Sequence, residues 1–570
     1  MENMTRREML DNLRANPDIT VLVIGGGING IGTFRDLALQ GVDVLLVEKG
    51  DFCSGASAAS SHMMHGGLRY LENGEFRLVR EALHERNRLL QNAPHYVHPL
   101  PTTIPIYHWL SGIFNAPMKF LGLLDRPGER GALVIKAGLT MYDLFTADAR
   151  MTPTHRFFSR RASLEKRPQL NDDIICTATY YDAWMPYPER ICMELILDTE
   201  RDSQQAVALN YVSAADAEGD QVMLRDEVTG EVIEVRPKVV INAAGPWIDF
   251  VNRALGRETK FIGGTKGAHL ILDHPELLEA CAGHEMFFEN EDGRITLFFP
   301  LQDRVLAGTT DIPIDNPDDA RTTDEEIDYI LNSIKLVFPD MDVNRSHIVF
   351  HFTGVRPLPS MEASTTGQIS RDHKIEMVEP GGGLSFPIFS LVGGKWTSFR
   401  AFSEQTTDKV LPRLGRTRQR STAEIPIGGG RDYPKIEVDR KAWIEDLQRE
   451  TELEYDHLDA LFQRYGTYAR DVATFMAAAN DTPLSNVTGY TRREIIFLAQ
   501  NEKIVHLDDL LLRRSLLAML ANINADGLAE AADALAEALG WSEAEKQAEI
   551  ERCAQLLTTK HGMTLEAVTQ

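Results

Sequence analysis

Cysteine is scarce in this sequence. Its five cysteines, at positions 53, 176, 192, 281 and 553, are scattered through 570 residues and form no CxxC pair. Structural zinc sites and disulfide frameworks need cysteines at close or regular spacings, so the sequence indicates neither. We therefore expect a reduced protein that holds no metal.

Long apolar segments are also missing. No run approaches the roughly 20 apolar residues that cross a bilayer as a helix. The first twenty residues, MENMTRREMLDNLRANPDIT, are polar and mixed in charge, without the apolar core of a secretory signal. These features predict a cytoplasmic protein whose contact with a membrane, if it has one, is peripheral.

Positive charge is in deficit. The chain has 59 lysines and arginines against 84 aspartates and glutamates, which gives a formal net charge of −25. A nucleic acid attracts a basic surface, so we expect no nucleic-acid partner. A local basic pocket for an anionic metabolite is still compatible with this total, and arginines in tight motifs are the residues to inspect.

A dinucleotide motif follows the first predicted strand. Residues 19–24, ITVLVI, are typical of a buried strand, and GGGINGIG then places Gly25, Gly27 and Gly30 in the GxGxxG spacing. A helical segment comes next, followed by a second apolar strand that ends at Glu48. The glycines allow a pyrophosphate to approach the helix N-terminus, and the acid can accept hydrogen bonds from a ribose hydroxyl. The order of these pieces predicts a dinucleotide-binding α/β unit.

The segment after Glu48 favours FAD over a nicotinamide cofactor. A regular βα unit is replaced by KGDFCSGASAASSHMMHGGLRYL, which is rich in small residues and suits close packing along an extended cofactor. We expect FAD contacts in this segment, and we expect its diglycine to leave room for the isoalloxazine ring. The predicted contact residues are Ser60, Ser61, His65, Gly66 and Gly67.

The same segment resembles the SSxxxHGGxRYL signature of FAD-dependent glycerol-3-phosphate dehydrogenases, the membrane-associated respiratory enzymes, and their oxidase relatives. Further segments match this family's motifs in the family's order: VVINAAGPW (239–247), TKGAHLIL (265–272), AGTTD (307–311), TGVRPL (353–358), SRD (370–372) and VGGKWTSFR (392–400). The resemblance implies non-covalent FAD with further contacts from Ala244, Gly245, Gly394, Lys395 and Thr397. It also implies oxidation of sn-glycerol 3-phosphate to dihydroxyacetone phosphate by hydride transfer to flavin N5, with a membrane quinone as electron acceptor.

Arginines in these motifs are candidates for binding the substrate phosphate. The planar guanidinium group meets phosphate oxygens through two parallel hydrogen bonds. We expect substrate contacts from Arg69, Tyr70, Arg356, Arg371 and Lys395.

A histidine is the expected proton acceptor, because its pKa suits general-base work near neutrality. The resemblance assigns this role to His269, with Arg356 stabilising the developing alkoxide. His65, beside the diglycine, is the rival candidate.

Three segments depart from the family's pattern. His62 stands where the family usually has lysine, Ala268 where serine is common, and residues 180–191 read YYDAWMPYPERI instead of YxD…DDAR. The departures leave the identity of the polyol phosphate open, and erythritol phosphate is a second candidate substrate. Reoxidation of the flavin by oxygen is a further hypothesis, as is a non-catalytic flavin-binding redox module.

The chain divides into an α/β part and a helical part. We predict a doubly wound, Rossmann-like FAD-binding domain over 1–415, interleaved with α+β substrate-binding segments at approximately 85–200 and 260–350. Residues 416–436, rich in Arg, Gly and Pro, are predicted to be a linker. Residues 437–570 show helical spacing of apolar residues and predict an all-α domain without a catalytic constellation.

Residues 101–145 combine large apolar and basic side chains. Trp109, Ile113 and Phe114 lie near Lys119 and Arg126, a mixture that suits peripheral contact with the inner face of the cytoplasmic membrane. A buried helix pair is the alternative, because apolar stripes usually belong to a core. The oligomeric state, including a homodimer, stays open.

Overall fold

The computed structural model describes residues 5–71, 74–109, 131–147, 149–290, 292–360 and 372–566, with Arg69 described by its backbone alone. Its strands are β1 Asp18–Ile24, β2 Val44–Val47, β3 Met63–Met64, β4 His98–Ile106, β5 Arg156–Ser159, β6 Cys176–Trp184, β7 Ala206–Leu209, β8 Val212–Glu218, β9 Gln221–Asp226, β10 Val232–Asn242, β11 Thr265–Leu272, β12 Glu285–Glu289, β13 Ile295–Leu301, β14 Arg304–Gly308, β15 Ile312–Pro313, β16 Ile348–Arg356, β17 Lys374–Val378 and β18 Ile388–Val392. Its α-helices are α1 Arg6–Ala15, α2 Ile28–Ala38, α3 Phe76–Asn92, α4 Ala132–Phe145, α5 Arg160–Lys166, α6 Pro188–Asp202, α7 Ile248–Ala254, α8 Pro275–Cys281, α9 Asp324–Val337, α10 Phe399–Val410, α11 Glu437–Thr451, α12 Tyr455–Tyr465, α13 Ala469–Ala477, α14 Arg492–Asn501, α15 Leu507–Asp509, α16 Ala525–Leu539 and α17 Glu543–His561.

The first sheet is built on parallel strands that are buried on both faces. β1 pairs in parallel with β2 and β10, and the main order is β17-β18-β10-β1-β2-β7. Alternate side chains of β1 enter two cores: Val21 and Val23 pack with Phe34 of α2, while Leu22 and Ile24 pack in the core that contains α1. Burial on both faces explains why these strands read as continuous apolar runs. This architecture confirms the predicted doubly wound α/β domain.

The second sheet is largely antiparallel and carries His269 on β11 and Arg356 on β16. β11 pairs with β14, β15 and β16, and the sheet continues through β13, β12, β4 and β6. On β11, Ala268 and Leu270 belong to the same core as Ile330 of α9, so His269 between them points to the opposite face. The period-two alternation of one strand therefore decides which side chains reach the site.

The helices from 437 to 561 form their own core and dock on the second sheet. Phe350 and Phe352 of β16 belong to the same apolar cluster as these helices, and the ring of His561 stacks on Phe350 at 4.4 Å. This region confirms the predicted C-terminal helical domain.

The segment predicted to be a linker is fixed to the first sheet's helices. The Arg418 guanidinium donates to the Asp36 carboxylate of α2 at 2.8 and 3.0 Å, and the Gly429 amide donates to Glu194 of α6 at 3.0 Å. α6 itself packs against α2, although its residues fall at the end of the segment 85–200 predicted to bind substrate. The composition of 416–436 indicated a break in the sequence pattern and could not reveal these anchoring contacts.

Candidate active site

One cavity of about 1450 Å³ lies where the two sheets and the C-terminal helices meet. It brings together motifs that are hundreds of residues apart in the sequence. The predicted site residues that line it are Gly25, Gly27, Glu48, Ser60, Ser61, His65, Gly67, Tyr70, Ala244, Gly245, His269, Arg356, Gly394, Lys395 and Thr397. Arg371 lies outside the described residues, and the structure places only the backbone of Arg69, in the short helix Leu68–Leu71.

The glycine motif forms a tight cradle at the start of α2. Gly25 has φ +112°, and a Cβ there would lie 2.6 Å from the Ala243 carbonyl group. A Cβ on Gly30 would lie 1.9 Å from the Gly25 carbonyl oxygen, so side chains at either position would push the turn apart. Gly27 caps the N-terminus of α2 and lines the cavity, where a helix end can receive a phosphate group. The cradle therefore fits the pyrophosphate of a dinucleotide.

Glu48 is fixed at the end of β2 by backbone donors. Its carboxylate accepts hydrogen bonds from the Gly26 amide at 2.7 Å and the Gly50 amide at 3.0 Å. Burial raises the pKa of Glu48, and these two hydrogen bonds oppose that rise. Each carboxylate oxygen has a second lone pair, so the residue can still accept a ribose hydroxyl from the cavity side.

The diglycine is packed tightly against protein groups. A Cβ on Gly66 would lie 2.5 Å from a Leu83 methyl and 2.6 Å from the Tyr142 hydroxyl, and both neighbours are protein groups. Gly67 has φ +79°, and its Cβ would lie 2.2 Å from the Tyr70 ring. These protein contacts alone require glycine at both positions. Contact of either residue with the cofactor stays a prediction.

Two distant motifs share one wall of the cavity. The His65 amide donates to the Thr397 hydroxyl at 3.1 Å, which joins the HGG segment to the GGKWT segment. The Lys395 ammonium lies 3.8 Å from the centre of the Tyr70 ring, and the His65 ring stacks on the same tyrosine with 6.5 Å between ring centres. This arrangement places a buried cation and a phenol together in the cavity wall.

Arg356 ends β16 and is aimed across β11 into the cavity. Its guanidinium donates to the Thr310 carbonyl and the Asp311 carboxylate, both at 3.1 Å, and to the Thr309 hydroxyl at 3.0 Å. A Cβ on Gly267 would lie 2.4 Å from the guanidinium, so the glycine of the KGAH segment makes space for this side chain. With 23% of its side chain exposed, Arg356 is both oriented and accessible to a ligand.

The loop that orients Arg356 is itself held by a buried ion pair. Lys266 donates to the Glu326 carboxylate at 2.7 Å, and the Thr310 hydroxyl donates to the other oxygen of that carboxylate at 2.6 Å. Sequence analysis missed both Glu326 and Asp311. The TTD motif pointed to Asp311, whereas nothing in the sequence around Glu326 indicated a link with a residue 60 positions away.

His269 is a buried imidazole with one accessible nitrogen. Its Nε2 lies 2.8 Å from the Ser61 hydroxyl, and its ring stacks on Phe352 at 4.9 Å. Burial lowers the pKa of His269 well below its ordinary value, and the nearby Arg356 and His62 lower it further. The imidazole is therefore neutral near pH 7 and can accept a proton. Its Nδ1 is sealed from solvent and has no hydrogen-bond partner within the described part of the chain, so Nε2 is the atom that can exchange protons with the cavity.

Two further acid–base groups near the cavity fall in segments that depart from the family's pattern. His62 is fully buried beside Phe352, and burial lowers its pKa to about 4. Glu189, at the start of α6, lines the cavity, and burial raises its pKa to about 8. The PYPERI stretch, which departs from the family's pattern and contains Glu189, was the sequence signal that could have identified this residue.

The chain matches two known families. The FAD dependent oxidoreductase family matches residues 20–382, and the C-terminal domain of alpha-glycerophosphate oxidase matches residues 420–546. A glycerol-3-phosphate dehydrogenase of Synechocystis is 32% identical over 94% of this chain and 96% of its own length. An aerobic glycerol-3-phosphate dehydrogenase of Staphylococcus haemolyticus is 30% identical over 89% of this chain and 88% of its own.

Solved structures show the same fold. A glycerol-3-phosphate dehydrogenase from Bacillus halodurans, complexed with FAD, superimposes with a TM-score of 0.73 over 99% of both chains at 21% identity. The match spans the two sheets and the C-terminal helices together, so the three-part architecture described above occurs in that protein as well.

Proposed function

Since the chain belongs to the family of FAD-dependent glycerol-3-phosphate dehydrogenases, we propose that it oxidises sn-glycerol 3-phosphate to dihydroxyacetone phosphate and passes the electrons to a membrane quinone. The family membership confirms FAD as the cofactor. The observation that carries the proposal is the meeting of a neutral His269 and an accessible Arg356 in the cavity that holds the dinucleotide cradle. When bound, FAD supplies the acceptor for the hydride that leaves C2 of the substrate.

The protein side chains divide the remaining work. His269 accepts the proton of the C2 hydroxyl at Nε2, either directly or through the Ser61 hydroxyl that contacts this atom. Arg356 provides a fixed positive charge next to the developing alkoxide. Tyr70 of the RYL segment and Lys395 of the GGKWT segment bind the substrate phosphate. Arg69 and Arg371, of the RYL and SRD segments, bind it as well.

Anaerobic titration with glycerol 3-phosphate tests this function. We expect the oxidised flavin absorbance to bleach on addition of glycerol 3-phosphate and to recover when a soluble quinone is added. Faster bleaching by another polyol phosphate, such as erythritol phosphate, would identify that compound as the substrate and leave the type of reaction unchanged. Recovery with oxygen at the same rate as with quinone would identify an oxidase. Absence of bleaching with every polyol phosphate would favour a non-catalytic flavin module.

FAD is expected to be bound without a covalent link. The residues near the cavity offer hydrogen bonds and packing, and the His65 ring stacks on Tyr70. Acid precipitation of the purified enzyme should therefore leave the yellow chromophore in the supernatant. Yellow colour that remains with the washed pellet would contradict this prediction.

A membrane contact is supported by exposed apolar side chains on α4 and beside it. Leu133 and Leu144 are 53% and 65% exposed and lie on one face of the helix, and the Leu133 amide donates to the carbonyl of Trp109, which is 59% exposed. Lys136, one turn after Leu133, adds an exposed positive charge. No helix among the described residues is both long and apolar enough to cross a membrane. We propose peripheral binding to the inner face of the cytoplasmic membrane, where a quinone is accessible. Ile113, Phe114, Lys119 and Arg126, also predicted to contribute, lie outside the described residues.

Replacing Trp109, Leu133 and Leu144 with serine should release the enzyme from anionic vesicles and slow quinone reduction. Reduction of a soluble dye should persist, because these side chains lie outside the cavity. Serine substitutions at Ile436 and Val438, which are 59% and 72% exposed, serve as the matched control and should leave vesicle binding unchanged. If the triple variant binds vesicles as well as the control variant does, membrane contact through α4 is contradicted.

A further inference from the structure

The C-terminal helices supply part of the cavity wall, although the sequence indicated no site in them. Arg513, Arg552 and Lys560 line the cavity together with residues of the cofactor loop, defined as residues 49–57. This loop follows Glu48 directly, and at its far end the Ser57 hydroxyl accepts a hydrogen bond from the Ile28 amide of the dinucleotide cradle at 3.0 Å. The position of the loop therefore shapes the cofactor site.

Asp51 fixes the cofactor loop to the helical domain. Its carboxylate, almost fully buried, accepts hydrogen bonds from Arg513 Nε at 2.6 Å and from Arg514 Nη1 and Nη2 at 2.7 and 3.0 Å. The Asn210 side-chain amide donates a further hydrogen bond at 3.0 Å. Two guanidinium groups from the far end of the sequence thus hold one carboxylate of the cofactor loop.

The two arginines are in turn fixed within the helical domain. Arg514 donates to the Glu502 carbonyl at 2.9 and 3.1 Å, and Arg513 donates to the Asp508 carboxylate at 2.8 Å. Undocking the domain would separate the Asp51 carboxylate from both guanidinium groups, which would keep only their partners within the helical domain. Separating a buried ion pair in this way is strongly unfavourable unless water reaches every charge. The docked helical domain therefore helps to hold the cofactor loop in its position.

We propose that the docked C-terminal domain positions the cofactor loop through Asp51 and Arg514, so that FAD binding and domain docking stabilise each other. Such coupling is reciprocal: a domain that strengthens FAD binding is itself held more tightly when FAD is bound. Arg514 is a positioning residue in this scheme, because it contacts Asp51 and is not among the residues that line the cavity. The inference uses only the FAD site and is independent of the substrate.

Hydrogen exchange of the full-length protein tests the coupling without any substitution. We expect FAD to slow amide exchange in Leu510–Arg514 and Glu543–His561 relative to the apoprotein. Slowing should be smaller in Tyr455–Tyr465, which lies elsewhere in the same domain. Exchange rates in the first two segments that are the same with and without FAD would overturn the proposal.

The variant Arg514→Gln tests the positioning role. Reconstitution of its apoprotein with FAD, followed by flavin fluorescence, should show a Kd raised by roughly tenfold. The matched control is Arg464→Gln, which breaks the ion pair with Glu494 in the same domain away from the cavity and should change the Kd by less than about twofold. The proposal would be contradicted if Arg514→Gln bound FAD with the Kd of the unmodified chain. It would also be contradicted if Arg514→Gln and Arg464→Gln raised the Kd for FAD equally. If Arg514→Gln fails to fold, the exchange experiment decides.

Discussion

Replacing Arg356 with alanine is expected to lower kcat/KM for glycerol 3-phosphate by ~10²- to 10³-fold, because hydrogen bonds to charged groups contribute ~1.5–3 kcal/mol each. The guanidinium carries a fixed positive charge that faces the cavity, held by Thr309, Thr310 and Asp311. FAD content should be unchanged, because the dinucleotide cradle lies on the other sheet. Steady-state kinetics and the flavin-to-protein absorbance ratio measure the two quantities.

Two further variants separate charge from geometry. Arg356→Lys keeps the charge but lacks the planar fork, so it should recover only part of the lost activity. Arg345→Ala removes an exposed arginine of the same domain that is paired with Asp324 and Asp328, and it should leave activity unchanged. Normal kinetics of Arg356→Ala with full FAD content would exclude Arg356 from the substrate site.

The sequence predicted the parts of the fold that depend on local pattern. Apolar runs identified the buried strands β1 and β2, and the GxGxxG spacing located the turn between β1 and α2. The apolar LIL segment after His269 also indicated the strand, β11, from which this residue reaches the cavity. In each case the information lies within a few consecutive residues, where helix and strand periodicities act.

Contacts between distant segments could not be predicted in this way. The need for glycine at 66 comes from Leu83 and from Tyr142, and no local pattern connects these three positions. The same holds for Asp51 and Arg514: the helical periodicity of the C-terminal domain shows which side chains face its own core, but not which charged residues reach another domain. For this reason the domain was expected to carry no site, whereas it forms part of the cavity wall.

Replacing His269 is expected to have the second large effect. General-base catalysis typically contributes ~10²- to 10⁴-fold, so His269→Gln should slow flavin reduction by glycerol 3-phosphate by that order while FAD remains bound. Glutamine keeps a side chain that can contact Ser61 but cannot accept the proton. Ser61→Ala is the matched control and should cost less than about tenfold, because the hydroxyl orients the imidazole or relays its proton. Stopped-flow reduction of the oxidised flavin at saturating substrate is the measurement.

The pH dependence of the same rate provides an independent test of the base. Burial and the neighbouring Arg356 lower the pKa of His269 in the folded protein, so the neutral, proton-accepting form persists as the pH falls through the ordinary value of 6.5. Flavin reduction should therefore stay constant through that region and decline only at lower pH. In Arg356→Ala the pKa of His269 should rise towards its ordinary value, which shifts the acid decline to higher pH. A decline near pH 6.5 that persists unchanged in His269→Gln would belong to another group, and His65 would then be the base to test.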